Sequence, residues 1–317
     1  MKILITGANG LLGQHLVKLL TEATGHDIIA TGRSVSRIPF SPSGRYHYFP
    51  LDITNGMDVT SFIGLHQPGI IIHTAAITQV DDCESDKVAC WNTNVTATRF
   101  LISAAESIHA RFIYVSTDFV FDGLGGPYSE TVVPGPINYY GSTKLAAEKS
   151  VMESGLNWCI VRTVLVYGNI LTGNRSNIIS WVKENLEVGK KIKVVIDQWR
   201  TPTYVEDLAK GILLAVEKNA TGIYHISGEE LLSPYDMAIA TTEWLGLDKT
   251  LIEKVDASIF TQPAKRPAKT GFIIEKAKKE LGFKPLSFRE GLEKMLPKTK
   301  ADLLEETLSP LAPKGEV

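Results

Sequence analysis

The chain has 317 residues, 44% apolar and 21% charged, and its 33 Lys plus Arg against 35 Asp plus Glu leave a net charge of -2. That composition excludes a disordered chain, a collagen-like fibre and a coiled-coil rod. The length allows two lobes or one large α/β domain, and without a basic excess neither a nucleic-acid nor an anionic-membrane partner is expected.

Short β-branched runs alternate with longer helical stretches. Residues 2–6 read as a buried strand and 11–20 as a helix. Further strands are predicted at 27–31, 46–51, 69–73, 111–116 and 157–162. Helical patterns separate most of them, notably 84–108 and 139–153. Near-continuous apolar strands spaced by helices indicate a doubly wound parallel sheet covered on both faces, an α/β Rossmann architecture. After about Gly168 the rhythm loosens. A helix near 174–188, a strand at 192–196 and a helix at 205–218 are predicted, and the chain from Ser233 onward reads as mainly helical. The expected division is a cofactor-binding domain over 1–168 and a smaller, mainly helical substrate lobe over 169–296. Within the lobe, 197–218 is expected to return to the first domain, and 297–317 forms a loosely held tail.

Cys83, Cys90 and Cys159 are too few and too scattered for a disulfide framework and form no C-x-x-C pair, so reduced thiols are expected. No apolar run approaches the roughly 18 residues that span a bilayer. No signal-peptide cleavage site follows the N-terminal strand, so a cytoplasmic location is expected. The histidines are dispersed without ligand spacing, and no metal is expected. His73 reads as a satisfied residue at the sheet edge. Asp81, Asp82 and Glu84 read as the acidic start of a helix.

Directly after the first strand comes Gly7-Ala8-Asn9-Gly10-Leu11-Leu12-Gly13, spaced G-x-x-G-x-x-G and opening the first helix. Such a loop lets the backbone approach a pyrophosphate and presents a helix N-terminus to it. The second strand ends in Gly32-Arg33-Ser34, where an acidic residue would bond the ribose of NAD. Arg33 can pair with a 2′-phosphate and Ser34 can add a hydrogen bond, which favours NADP, with NAD as the alternative. Arg37 is a second candidate from the same loop. After the third strand, Asp52, followed by Ile53, either accepts from the adenine amino group or caps the next helix.

Tyr140-Gly141-Ser142-Thr143-Lys144 gives Y-x-x-x-K in a helical pattern, so phenol and ammonium share one face. A nearby cation favours the tyrosinate and makes Tyr140 a better proton donor. The fifth strand ends in Val115-Ser116-Thr117-Asp118, which places hydroxyls beyond the carboxyl end of a parallel strand, where ligands collect.

In this order the motifs resemble an extended short-chain dehydrogenase/reductase, and within that superfamily the dTDP-4-dehydrorhamnose reductase family. The resemblance rests on the glycine loop, His73-Thr74-Ala75-Ala76, the string Ser116-Thr117-Asp118-Phe119-Val120-Phe121-Asp122-Gly123 and Tyr140 with Lys144. Downstream, Arg162–Gly168, Asp197-Gln198, Thr201-Pro202-Thr203 and Arg266-Pro267 carry it to about residue 290.

The resemblance implies an NADP(H)-dependent reductase of a nucleotide-linked 4-keto sugar. Thr117 would polarise the carbonyl, Tyr140 donate the proton and Lys144 hold the nicotinamide ribose. Ala75, Ala76 and Thr78 would line the cofactor cleft, with Asn94 supporting it and Thr163, Val164 and Leu165 near the carboxamide. Asp118, Phe119, Gln198, Arg200 and Arg266 would face the nucleotide-sugar, the two arginines pairing with phosphate. Trp199, in the same loop as Arg200, is placed to stack on a base. Phe119 stands where the family often has Tyr, and Arg200 where Gly is usual. His15 replaces a glutamate that some members link to an intersubunit magnesium. A non-catalytic regulatory protein, the methionine adenosyltransferase beta subunit, resembles the same family, which leaves a cofactor-binding subunit, or a reductase of another carbonyl substrate, as the alternatives. The expected assembly is a monomer or a homodimer.

Overall fold

Seven parallel strands form the central sheet, in the order Gly222–His225, Trp158–Thr163, Arg111–Thr117, Ile70–His73, Lys2–Thr6, Asp27–Gly32 and Tyr46–Pro50. The computed structural model describes residues 1–40, 44–173 and 176–297. The predicted tail beyond 297, and residues 174–175 at the start of a predicted helix, lie outside the described residues. The first half of the chain runs β1 (Lys2–Thr6), α1 (Leu11–Ala23), β2 (Asp27–Gly32), β3 (Tyr46–Pro50), α2 (Gly56–His66) and β4 (Ile70–His73). Then come α3 (Val80–Ser85), α4 (Lys87–Trp91), a π-helical turn (Asn92–Thr96), α5 (Ala97–Ser107), β5 (Arg111–Thr117), α6 (Tyr139–Met152) and β6 (Trp158–Thr163).

The central strands are mainly apolar because both faces are covered. On one face Ile3, Ile5, Ile28 and Ile72 pack with Leu16 and Leu20 of α1 and with Leu208 and Ile212. On the other, Leu4, Ile71 and Phe112 pack with Val59 and Ile63 of α2, Leu101 of α5 and Ala147 of α6. A buried bidentate pair fixes α6 to β6: Arg162 donates from Nε to Glu148 Oε1 at 2.9 Å and from NH2 to Oε2 at 2.6 Å.

The single helix expected over 84–108 is broken. Asp86 turns its side chain to Ala89 N (2.9 Å) and starts α4 afresh. The π turn then inserts a residue at Asn94, whose amide is thereby aimed out of the helix.

The remaining elements are β7 (Val166–Tyr167), α7 (Ile178–Glu187), β8 (Ile192–Val195), β9 (Thr203–Tyr204), α8 (Val205–Glu217), β10 (Gly222–His225), α9 (Pro234–Leu245), β11 (Ile252–Val255) and α10 (Phe288–Met295). Leu208 and Ile212 of α8 belong to the core on the α1 face, and β10 pairs with β6 as the seventh strand of the main sheet. β8 instead pairs with β11, in parallel, beside α7 and α9. The chain from Ser233 is less helical than expected. Between α9, which opens with a Ser233–Asp236 capping box, and α10 lie β11, a π-helical turn (Ala277–Leu281) and Pro-containing loops. Among the described residues no helix is long and apolar enough to cross a membrane.

Candidate functional site

The strand order reverses between β1 and β4, and their carboxyl ends open a crevice. β1 runs into Gly7, whose φ of +71° suits glycine, and a Cβ there would lie 2.7 Å from Ala75 N. The chain enters α1 at Gly10 with no side-chain cap and no acidic residue in the first turn. The first N–H groups and the positive dipole end are thus left for an anion. Gly7, Gly10, Leu11, Leu12 and Gly13 all line a cleft of about 480 Å³.

Asn9 acts on the neighbouring loop. It donates to Val35 O (3.1 Å) and accepts from Arg37 N (2.8 Å). It also donates to the Tyr48 hydroxyl (2.9 Å), which in turn donates to Ser34 O (2.5 Å). The loop that exposes Arg33 and Ser34 is therefore held in shape before any ligand arrives. Tyr48, on β3, has no recognisable signal in the sequence. Asp52 has the turn role: its Oδ1 accepts from Thr54 N and Oγ1 at 2.9 and 2.7 Å, which holds the carboxyl below the usual range. The helix cap belongs to Asn55, and Ile53 is buried in the core.

At the other wall, Ala76 and Thr78 line the cleft while Ala75 packs behind Gly7. Asn94 clamps this wall from behind, accepting from Ile77 N (2.9 Å) and donating to Ile77 O (3.0 Å) and Thr143 Oγ1 (3.1 Å). His73 is satisfied, but on a central strand rather than an edge. It lies between Thr6 Oγ1 (2.7 Å) and Thr98 Oγ1 (3.0 Å), and burial, helped by Lys144, takes it down to about 3. Cys83 and Cys90, expected as thiols, are joined as a disulfide: their Cα atoms are 5.1 Å apart because α3 and α4 meet at a sharp corner. Only Cys159 is free among the described cysteines.

β5 ends at the cleft with Ser116 and Thr117. Ser116 Oγ is buried with no hydrogen-bond partner among the described residues, as a group awaiting a ligand would be. Thr117 accepts from Phe119 N (3.2 Å) and donates to Asp118 Oδ1 (3.1 Å). Asn138 caps α6 and brings Tyr140 and Lys144 into the same cleft. Gly141 is needed there, because a Cβ would collide with Phe119 O. Lys144 donates to Val115 O (2.8 Å) and lies 4.2 Å above the Tyr114 ring. Burial lowers its pKa to about 7 against the opposing pull of Glu148. Thr163, paired with Thr117 across β5 and β6, lines the cleft and donates to Thr203 (3.1 Å), while Val164 is buried behind it. Leu165 lines the cleft at a φ of +27°.

Phe119, Gln198, Arg200, Arg266 and Asp118 also reach the cleft wall. Asp118 is buried, with its carboxyl pushed up by burial, and it holds Thr270 Oγ1 and Thr117 rather than standing open. The expectation for Arg200 needs correction. Its NH1 donates to Trp199 O (2.7 Å) and Ala268 O (3.2 Å), and NH2 to Pro267 O (2.6 Å). A guanidinium so engaged does not present a fork to a phosphate. Its plane instead packs 5.5 Å from the Phe119 ring, which meets Tyr140 edge-on. Arg266, too, is paired with Asp81. Trp199 is 38% exposed beside Gln198.

The glycine loop, the uncapped helix and the unpartnered Ser116 fit a dinucleotide. The hydroxyl of Thr117, the phenol of Tyr140 and the ammonium of Lys144 share the cleft with them, an arrangement suited to carbonyl reduction.

Known proteins show the same plan. A dTDP-4-dehydrorhamnose reductase from Aggregatibacter actinomycetemcomitans is 32% identical over 307 residues, spanning 92% of this chain and 97% of its own. The methionine adenosyltransferase 2 subunit beta of Xenopus tropicalis is 33% identical over 261 residues, 80% of this chain and 75% of that one. The crystal structure of dTDP-4-dehydrorhamnose reductase from Bacillus anthracis str. Ames in complex with NADP superposes with a TM-score of 0.80 at 30% identity, covering 94% of this chain and 99% of that one. The model of the RmlD substrate binding domain matches residues 1–301, and the chain belongs to that family.

Proposed function

We propose that the protein is an NADP(H)-dependent reductase of a nucleotide-linked 4-keto sugar. The observation that carries this reading is the meeting of Thr117, Tyr140 and Lys144 with the glycine loop in one cleft. NADPH, when bound, supplies a hydride to the ketone carbon. Gly10 and the first turn of α1 would hold its pyrophosphate, and Arg33 with Ser34 its 2′-phosphate. Tyr140 donates a proton to the ketone oxygen, so that ketone plus hydride plus proton gives the alcohol. Lys144, one helical turn on, would in its protonated form favour the tyrosinate that remains and would hold the nicotinamide ribose. Thr117 turns its hydroxyl from Asp118 to the carbonyl and polarises it.

In this reading residues 1–168 bind the cofactor and 169–296 supply the substrate side, with 197–218 returning to the first domain. The substrate is of the dTDP-4-dehydrorhamnose class, and the working form is a cytoplasmic monomer or homodimer. The similarity to the methionine adenosyltransferase 2 subunit beta favours a second reading, an NADP-binding subunit without turnover. Oxidation of NADPH against a panel of nucleotide-4-keto-sugars separates the two. Turnover with a panel member supports the reductase, and tight NADPH binding without oxidation by any member supports the subunit.

A further inference from the structure

Arg266 presents an occupied fork to the cleft. Its NH1 donates to Asp81 Oδ1 (3.1 Å) and its NH2 to Asp81 Oδ2 (2.6 Å). Asp81 Oδ1 also accepts from Ala264 N (3.2 Å), so one carboxylate holds both the arginine and the turn that carries it. Gln79, Val80 and Arg266 line the cleft and Asp81 follows Val80, so the pair joins two segments 185 residues apart at the cleft lining. The same loop is tied to the N-cap of α6, because Asn138 donates to Lys265 O (2.9 Å).

A carboxylate and a phosphate use the same guanidinium edge, each offering two oxygens to two parallel N–H groups. We propose that Asp81 is an internal competitor for Arg266 and thereby sets the affinity and charge selectivity of the site for the substrate's diphosphate. The proposal rests on the nucleotide-sugar reading for the identity of the ligand. The pair is only partly buried, with side chains 21% and 38% exposed, so water screens it and exchange is easy. A diphosphate carries more charge than one carboxylate and displaces it, whereas a singly charged ligand gains little over the contact it breaks. Displacement also frees Ala264 N, a second donor at the same place.

The test uses protein saturated with NADP, so that the glycine loop is filled. Inorganic pyrophosphate and dTDP are titrated calorimetrically into wild type, Asp81→Asn, Asp81→Ala, Arg266→Ala and the Asp81→Asn/Arg266→Ala double variant. Asp81→Asn and Asp81→Ala should bind both probes about three- to tenfold tighter, the size expected when a part-exposed ion pair no longer has to be broken. The double variant should bind no tighter than Arg266→Ala. Unchanged or weaker binding in whichever Asp81 variants still take up NADP overturns the proposal. So does a gain that persists without Arg266, which would be plain charge repulsion. If pyrophosphate gains but dTDP binds no better than pyrophosphate, the exchange stands and the nucleotide reading falls. If neither probe binds any variant, both fall.

Discussion

Arg200 Nε lies 3.7 Å from Asp118 Oδ2, joining a loop of the second half of the chain to the residue that follows Thr117 on β5. Both side chains are almost wholly buried, and Thr270 completes the contact by donating to the same carboxylate. The arginine thus knits loops 197–203 and 267–270 to the strand end that carries Thr117. Removing it leaves a buried carboxylate without its cation and the Pro267 carbonyl without its donor. Arg200→Ala should lower the unfolding free energy by about 3–5 kcal/mol in a urea titration. Arg200→Lys should recover little, since one ammonium cannot reach three carbonyls and the carboxylate together. A loss below about 1 kcal/mol would show that the network is dispensable.

Cofactor preference is predicted from the end of β2. Asn9 and Tyr48 hold the 33–37 loop in place, so a 2′-phosphate finds Arg33 already positioned. Arg33→Ala should weaken NADPH binding by about 2–3 kcal/mol, typical of a charge-assisted contact, with little change for NADH. Calorimetry with both cofactors checks this, and equal losses would remove Arg33 from the site.

Tyr140→Phe keeps the ring against Phe119 but deletes the proton donor. Its kcat should fall by roughly 10²–10⁴-fold, the usual range for general acid catalysis, with NADPH affinity retained. A fall in cofactor affinity with unchanged kcat would assign the phenol to binding instead.

Much of this was legible before the structure. The buried strands announce themselves as apolar runs, and the G-x-x-G-x-x-G and Y-x-x-x-K spacings are local features that secondary structure brings to one cleft. Partnerships across the chain were not legible. Asp81 with Arg266 and Asp118 with Thr270 are separated by 185 and 152 residues, and no spacing rule links them. For the same reason Arg200 read as a phosphate ligand, since its residue type was visible but not the three carbonyls around it. The break of the 84–108 helix has no signal in the helical pattern, because Asp86 caps a new helix through Ala89 N and Asn94 pairs with Ile77, in a loop before it. β10 was missed because Gly222–His225 is short and only its pairing with β6 makes it a strand.

Lys144 supplies a pH test. Burial takes its pKa to about 7 in the cofactor-free protein, against 10.5 for an ordinary lysine. Between those values the unfolded chain binds the extra proton and the folded one does not, so stability rises with pH from about 7 toward 10.5. The Lys144→Met variant should lose that rise. Urea midpoints measured across this window in both proteins check it, and parallel slopes would mean that Lys144 stays charged in the fold.

In the proposed reaction this cleft moves a hydride to a sugar ketone and Tyr140 supplies the proton. The most direct measurement is reduction of a dTDP-linked 4-keto-6-deoxy sugar with NADPH carrying deuterium at the transferable nicotinamide C4 position. One NADPH should be consumed per sugar reduced, deuterium should appear at C4 of the product, and the rate should fall roughly 10²–10⁴-fold in Tyr140→Phe. Product without deuterium at C4, or full activity in Tyr140→Phe, would contradict it.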